Sequence, residues 1–169
     1  EKERLHDLVI RENLELGSRT HYILGLCSFF REGQEEVAQE YFQKALDIAL
    51  QKENNNDLCY ALFGLANCYQ HAGNIDLAVK ELQNLDVFFG ALKIPELQIG
   101  SMYLYGLIYR NQQEFDRALD YFWKAFELLK HHHSMILHYL TLYGLGTTYH
   151  RSGNQLLARV YLQLAARNI

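Results

Sequence analysis

The chain has 169 residues, of which 49% are hydrophobic, 21% are charged and one is proline. This length suits one domain or one short repeat array, and the apolar fraction excludes an intrinsically disordered chain. A net charge of −4 disfavours a nucleic-acid-binding surface, and no apolar run approaches the ~20 residues of a membrane-spanning helix.

A repeat with a step of forty residues sets the order of the predicted elements. Five columns keep this step through the chain. They are Ala38, Ala78, Ala118 and Ala158; Phe29, Tyr69, Tyr109 and Tyr149; Gly33, Gly73, Gln113 and Gly153; Phe42, Leu82, Phe122 and Leu162; and Ala45, Leu85, Ala125 and Ala165. The pattern predicts that each copy forms a helix, a turn and a second helix. The glycine suits a left-handed helix end, and the alanine lets two helix backbones approach closely.

In chain order, residues 1–16 are expected to be the end of a helix from a preceding repeat. Four repeats follow at 17–56, 57–95, 96–134 and 135–169. First helices are predicted near 18–32, 57–72, 96–112 and 135–152. Second helices are predicted near 34–51, 74–92, 114–131 and 154–168. Pro95 suits the first turn of a helix, and Asn74 and Asn154 suit N-cap positions.

The spacing Leu142, Leu145, Gly146, Tyr149, Ala158 in the fourth copy resembles the tetratricopeptide repeat. The resemblance implies an all-α fold, a right-handed superhelical array of antiparallel helix pairs (an α-solenoid). The period of 40 residues exceeds the usual 34 residues. In this respect the chain is similar to the long repeats of kinesin light chains, bacterial peptide-sensing regulators and maltose-regulator-type activators. The first copy departs most, because Gly25 comes one position early and Leu26 stands where a small residue is expected.

In this family the first helices line a concave groove that binds extended peptides or partner helices. The matching candidate residues are Ile23, Phe30, Arg31, Phe63, Asn67, His71, Tyr103, Leu107, Arg110, Tyr143, His150 and Arg151. They predict an aromatic groove with an Arg/His rim, opposite acidic second helices, and favour an acidic or aromatic ligand. The alternative is that the aromatics pack between neighbouring helices. The positions that match the family's carboxylate clamp carry none of the residues that such a clamp needs, and starting one repeat later recovers only Asn67.

The fourth second helix carries an apolar stripe at an i, i+4, i+8 spacing, formed by Leu156, Val160 and Leu164. The equivalent positions of the other copies hold charged or amide residues, so the stripe is expected to lie on the outer face and to require a cover. The cover is expected to be a following helix in a longer protein, or a second copy in a homodimer.

No motif of a catalytic or phosphate-binding site is present, and we expect no enzyme activity and no cofactor. His131, His132 and His133 are adjacent, so on a helix they cannot converge on one ion; we expect a solvated linker and no metal site.

The predicted function is therefore a cytoplasmic, non-catalytic protein-interaction module, expected to be a fragment of a longer protein. Its partner would be a protein or peptide, with no nucleic-acid or membrane binding by this segment. Two alternatives stay open. One is a ligand- or peptide-sensing regulatory domain of a larger signalling or transcription-regulating protein, and the other is an oligomerisation segment.

Overall fold

A computed structural model describes residues 17–167 of the chain. In this range the regular structure consists of eight α-helices: α1 (Ser18–Phe29), α2 (Glu35–Gln51), α3 (Asn55–His71), α4 (Ile75–Asp86), α5 (Pro95–Asn111), α6 (Phe115–Leu129), α7 (Met135–Arg151) and α8 (Gln155–Ala166). The predicted all-α class of paired helices is confirmed. The helix expected in residues 1–16 lies outside the described residues, as do residues 168–169.

The helices divide into two compact units, the first ending at Cys68 and the second beginning at Tyr69. In the first unit α1 packs along α2, and the Ser18 hydroxyl donates a hydrogen bond of 2.7 Å to the Ala45 carbonyl. In the second unit α5 packs on α6, α7 packs on α8, and α6 and α7 pack on each other. Each first helix thus lies against the second helix of the same copy in these pairs.

The turns inside the four copies confirm the prediction that a left-handed residue ends each first helix. Gly33, Gly73 and Gly153 have φ angles of 74°, 78° and 90°, and Gln113 takes the same region with φ 64°. A side chain at this backbone conformation is strained, so Gln113 is an unfavourable residue in an otherwise glycine position.

The two predicted N-caps differ. The Asn154 side chain accepts a hydrogen bond from the Leu157 amide at 3.2 Å, as an N-cap does. Asn74 occupies the N-cap of α4 without a side-chain hydrogen bond, so the prediction is wrong for the cap bond at this residue. The backbone conformations of the two residues are nearly the same, with ψ of 68° at Asn74 and 80° at Asn154, so the difference lies in the side chain.

The alanine column lies at the helix crossings, since Ala38, Ala78, Ala118 and Ala158 are all buried. A second small-residue contact accompanies it. The ring of Phe122 on α6 fills a socket between Gly106 on α5 and Gly144 on α7, where a Cβ atom at either glycine would lie 2.6 Å from the ring.

Phe42 on α2 occupies an equivalent socket in the first unit, between Gly25 on α1 and Gly64 on α3. The early glycine of the first copy therefore still serves the crossing of α1 and α2. The departure of this copy from the family spacing moves the small residue by one position and keeps its packing role.

The second helix of the second copy is shorter than predicted. The prediction of a helix to residue 92 is wrong, because α4 ends at Asp86 and turns follow. The amide of Phe88 bonds to the Leu85 carbonyl at 3.0 Å, three residues back, and tightens the chain. Gly90 weakens a helix in this stretch.

Candidate functional site

The candidate site in the second unit lies along α5 and α7. Tyr103, Leu107 and Arg110 follow a helical spacing on α5, as do Tyr143, Thr147 and Arg151 on α7, so each set shares one side of its helix. We use the name tyrosine–arginine face for one set of residues on these helices: Tyr103, Arg110, Asn111, Tyr139, Tyr143, Thr147 and Arg151.

The tyrosines of this face have different environments. Tyr103 is half-buried and packs on Phe122, with ring centroids 5.7 Å apart. Burial raises the pKa of Tyr103, and the nearby positive charge of Arg110 opposes the shift. Tyr143 stacks on Tyr139 at 6.0 Å and remains 43% exposed. Tyr103 thus packs between helices, as the alternative interpretation expected, whereas Tyr143 offers a ring to the outside.

Arg110 is positioned by the neighbouring helix. Its Nη1 donates a hydrogen bond of 2.7 Å to the Thr147 hydroxyl, which itself donates to the Tyr143 carbonyl at 2.8 Å. The Arg110 Nε is buried and has no hydrogen-bond partner among the described residues. The guanidinium is therefore held in one orientation by a neutral hydroxyl, with part of its donor capacity unused.

Arg151 adds a second positive charge. Its Nη1 lies 3.4 Å from the Asn111 Oδ1, at the long limit of a hydrogen bond. Burial lowers the pKa of Arg110, and the charge of Arg151 lowers it further. Within residues 17–167 neither arginine forms a salt bridge with a carboxylate. This face therefore combines exposed aromatic surface with positive charge that no acidic side chain of residues 17–167 neutralises.

The other candidates on the second unit are less involved. Leu107 is half-buried against the core cluster that contains Phe122. His150 is exposed, and its Nδ1 lies 2.9 Å from the Gln155 side-chain oxygen on the following helix. His71 is exposed at the end of α3. Leu107 and His150 thus contact groups other than the two arginines of the tyrosine–arginine face.

The first unit carries its own candidate residues on α1 and α3. Ile23 and Phe30 are strongly exposed, at 57% and 81%, and Arg31 is also exposed. Phe63 and Asn67 are half-buried, and the Asn67 side chain donates to the Phe63 carbonyl at 2.8 Å within its own helix. The first unit thus presents exposed apolar side chains on α1 and directly after it, whereas Asn67 uses a donor inside its own helix.

The sequence analysis missed Tyr139, which stacks on Tyr143 and contributes to the environment of Tyr103. The available signal was its position one helical turn before Tyr143. Tyr139 does not belong to the forty-residue columns, so a search by repeat alone does not find it.

The predicted solvated histidine linker needs one correction. His132 is half-buried, with its Nε2 3.2 Å from the Glu96 carboxylate, because the end of α6 returns to the start of α5. Among the residues that the structure describes, no group of three or more His, Cys, Asp or Glu side chains is arranged to hold a metal ion. In the same range, every helix is too short or too polar to cross a bilayer.

The apolar stripe of α8 is exposed in the structure, with 76% of Leu156, 42% of Val160 and 38% of Leu164 accessible. Ala158 and Ala165 on the opposite side of the same helix are buried.

Comparison with known protein families gives two matches, both described as tetratricopeptide repeat. One family model matches residues 60–85, and the other matches residues 18–52 and 99–128. Together they cover more than half of the chain. No curated protein matches the chain.

Proposed function

Because this chain belongs to the tetratricopeptide repeat family, whose repeats mediate protein–protein interaction, we propose that it binds a peptide or a partner helix on its first-helix faces. The main site in this proposal is the tyrosine–arginine face of α5 and α7. The observation that carries it is the exposed ring of Tyr143 beside Arg110 and Arg151, with no carboxylate paired to either arginine among the described residues.

Such a combination has the chemistry of a binding hot spot. Tyrosine and arginine are enriched among residues that dominate protein interfaces, since a ring offers a large rigid surface and a guanidinium offers several fixed donors. Thr147 orients Arg110 before any ligand arrives, which lowers the entropy lost on binding. Members of this family are typically non-catalytic, and we expect no enzyme activity from the chain.

The test uses pools of short peptides with degenerate sequence, immobilised and exposed to the purified chain. We expect Tyr143→Ala to weaken retention by more than ~2 kcal/mol, as a hot-spot aromatic does. Changing Tyr103 together with Tyr143 should weaken it further. The control is Asp116→Ala on α6, which alters an exposed second-helix position. Equal losses from Asp116→Ala and Tyr143→Ala would place the interface elsewhere and contradict the proposal.

A second candidate function is self-association through the stripe of α8. Its support is the exposure of three apolar side chains on one side of a helix whose opposite side packs on α7. A second copy of this chain is the occupant that we propose for the isolated 169-residue chain, through a two-fold contact between α8 helices. Sedimentation should show a dimer for the parent chain and a monomer for Leu156→Glu, Leu164→Glu. Monomers in both samples would contradict this candidate.

The alternative of a peptide-sensing regulatory domain shares the same site and differs in the consequence of binding. It predicts that peptides retained by the parent chain also change the protection of amide hydrogens in both units, and not only at α5 and α7. Hydrogen exchange with and without peptide measures this difference. Protection confined to α5 and α7 would favour a simple binding module.

A further inference from the structure

Arg110 occupies an unusual electrostatic position for a half-buried arginine. The charge of another cation, Arg151, lowers its pKa, and its defined side-chain partner is the neutral hydroxyl of Thr147. Burying a positive charge is unfavourable unless the charge is paired and hydrogen-bonded. The folded chain therefore keeps a guanidinium in an environment that an anion would improve.

The donors of Arg110 are only partly used. Nη1 is bonded to Thr147, and Nε is buried with no partner in the described part of the chain. No hydrogen bond from Nη2 is present within residues 17–167 either. Nε and Nη2 form the side of the guanidinium that matches the two oxygens of a carboxylate or phosphate. The unused side is thus the side with the geometry for an oxyanion contact, at which Nη2 is unbonded within the described residues and not buried whereas Nε beside it is buried.

The surroundings give this contact its selectivity. Tyr103 and Tyr143 both raise the pKa of Arg110, so the two tyrosine hydroxyls lie in the electrostatic surroundings of the guanidinium. The paired acidic side chains of the second unit lie elsewhere: Glu114, Asp120 and Glu127 are each bonded to a basic residue of the same stretch, α6 and its flanking residues. These acids are engaged locally and do not neutralise the two arginines.

We propose that Arg110, held by Thr147 and bordered by Tyr103 and Tyr143, is a subsite for an oxyanion carried by the bound peptide. The inference rests on the proposed peptide-binding function and names the chemistry of the ligand. The oxyanion is the carboxylate of an acidic side chain or the phosphate of a phosphorylated one, and apolar or aromatic residues of the peptide lie next to it. Arg151 strengthens the local positive potential.

The direct test follows the Nε–H signals of the arginines by NMR in the isotope-labelled chain. Sodium acetate and sodium phosphate are added separately at constant ionic strength. We expect the Arg110 signal to move and to saturate with at least one of these anions. The exposed Arg159 on α8 is the internal reference and should show only a small, non-saturating change. Equal and non-saturating responses of Arg110 and Arg159 would overturn the subsite.

The peptide test uses three pools with degenerate flanks and a fixed central residue: Glu, Gln or phosphoserine. We expect the Glu pool, the phosphoserine pool or both to bind at least about tenfold more tightly than the Gln pool, since charge-assisted hydrogen bonds are about twice as strong as neutral ones. The preferred pool identifies the source of the oxyanion. Arg110→Lys keeps the charge without the fork and should lose most of this preference, whereas Arg159→Gln should retain it.

The outcomes separate this inference from the proposed function. If all three pools bind equally and Tyr143→Ala weakens each of them, peptide binding stands and the oxyanion subsite is overturned. If no pool binds while phosphate saturates the Arg110 signal, the anion site stands and the peptide as its carrier is overturned. Circular dichroism of Arg110→Lys checks that its helices are retained, and a preference unchanged in this folded variant contradicts the role of the guanidinium fork.

Discussion

The socket of Phe122 allows a quantitative test of how the repeats pack. In Gly144→Ala, the new methyl group would lie 2.6 Å from Cε1 and 2.9 Å from Cδ1 of the Phe122 ring. Carbon atoms in favourable contact are about 3.5–4.0 Å apart, so the ring must move by roughly 1 Å. In a core this dense, such overpacking costs about 1–3 kcal/mol.

The substitution also has a favourable term, because alanine in a helix interior is about 1 kcal/mol better than glycine. We therefore expect a net loss of about 1 kcal/mol in the free energy of unfolding for Gly144→Ala. In a Phe122→Ala background the whole side chain beyond Cβ is absent, and Gly144→Ala should instead stabilise by about 1 kcal/mol. The two backgrounds should thus differ by about 2 kcal/mol, a coupling expected for residues in direct contact.

Urea denaturation of the four proteins measures this coupling, with unfolding followed by circular dichroism. Gly90→Ala is the control, since a Cβ at Gly90 would meet nothing within 4 Å. If Gly144→Ala stabilises the chain equally in both backgrounds, Phe122 does not fill a socket at Gly144. The account of packing between α6 and α7 would then be wrong.

Three further outcomes follow from local structure. Gln113→Gly should raise the free energy of unfolding by about 1 kcal/mol and the melting temperature with it, because φ is 64° at this residue; an unchanged melting temperature would show that the turn carries no strain. Ala118→Leu should lower the free energy of unfolding by about 1–3 kcal/mol, because Ala118 is fully buried at a helix crossing. A urea midpoint equal to that of the parent chain would place Ala118 outside the crossing. Burial, with a smaller contribution from Tyr60, raises the pKa of Tyr22 from 10.0 to about 12, so the unfolded chain ionises first and stability is lost as pH rises through this window. Tyr22→Phe should reduce that loss in urea titrations at alkaline pH, and an identical pH slope in the variant would refute it.

The repeat itself was predictable because backbone requirements repeat with it. A left-handed turn requires glycine or tolerates one strained residue, and a crossing requires alanine, so Gly33, Gly73, Ala38 and Ala78 identify their positions without any knowledge of side-chain packing. These constraints act within a few residues and leave a clear trace in the sequence.

The candidate site was predictable in composition and not in geometry. The sequence places Tyr143 and Arg110 on first helices, but the bond from Arg110 to Thr147 joins residues 37 positions apart and depends on the distance between two helices. The different exposure of Tyr103 and Tyr143 likewise depends on whether Phe122 lies beneath the ring. The early end of α4 at Asp86 belongs to the turn that follows, in which the Phe88 amide bonds to the Leu85 carbonyl, and the repeat pattern does not contain it.

The aromatic sockets have a consequence for how this array could change in length. A bulky ring meets a glycine of the next first helix at Phe42 with Gly64 and at Phe122 with Gly144. At the equivalent positions between these two contacts, the sequence has Leu82 and Leu104, both buried.

The pairing of a ring with a glycine thus recurs in every second copy, although the helix pair itself recurs in every copy. Removing a single copy from the middle would set Phe42 against Leu104, where two large side chains compete for a space that accepts one. Removing two copies would set Phe42 against Gly144 and preserve the fit. Gains and losses of repeats in this protein should therefore be tolerated in pairs. Exchange of one copy for another should succeed only between the first and third copies or between the second and fourth.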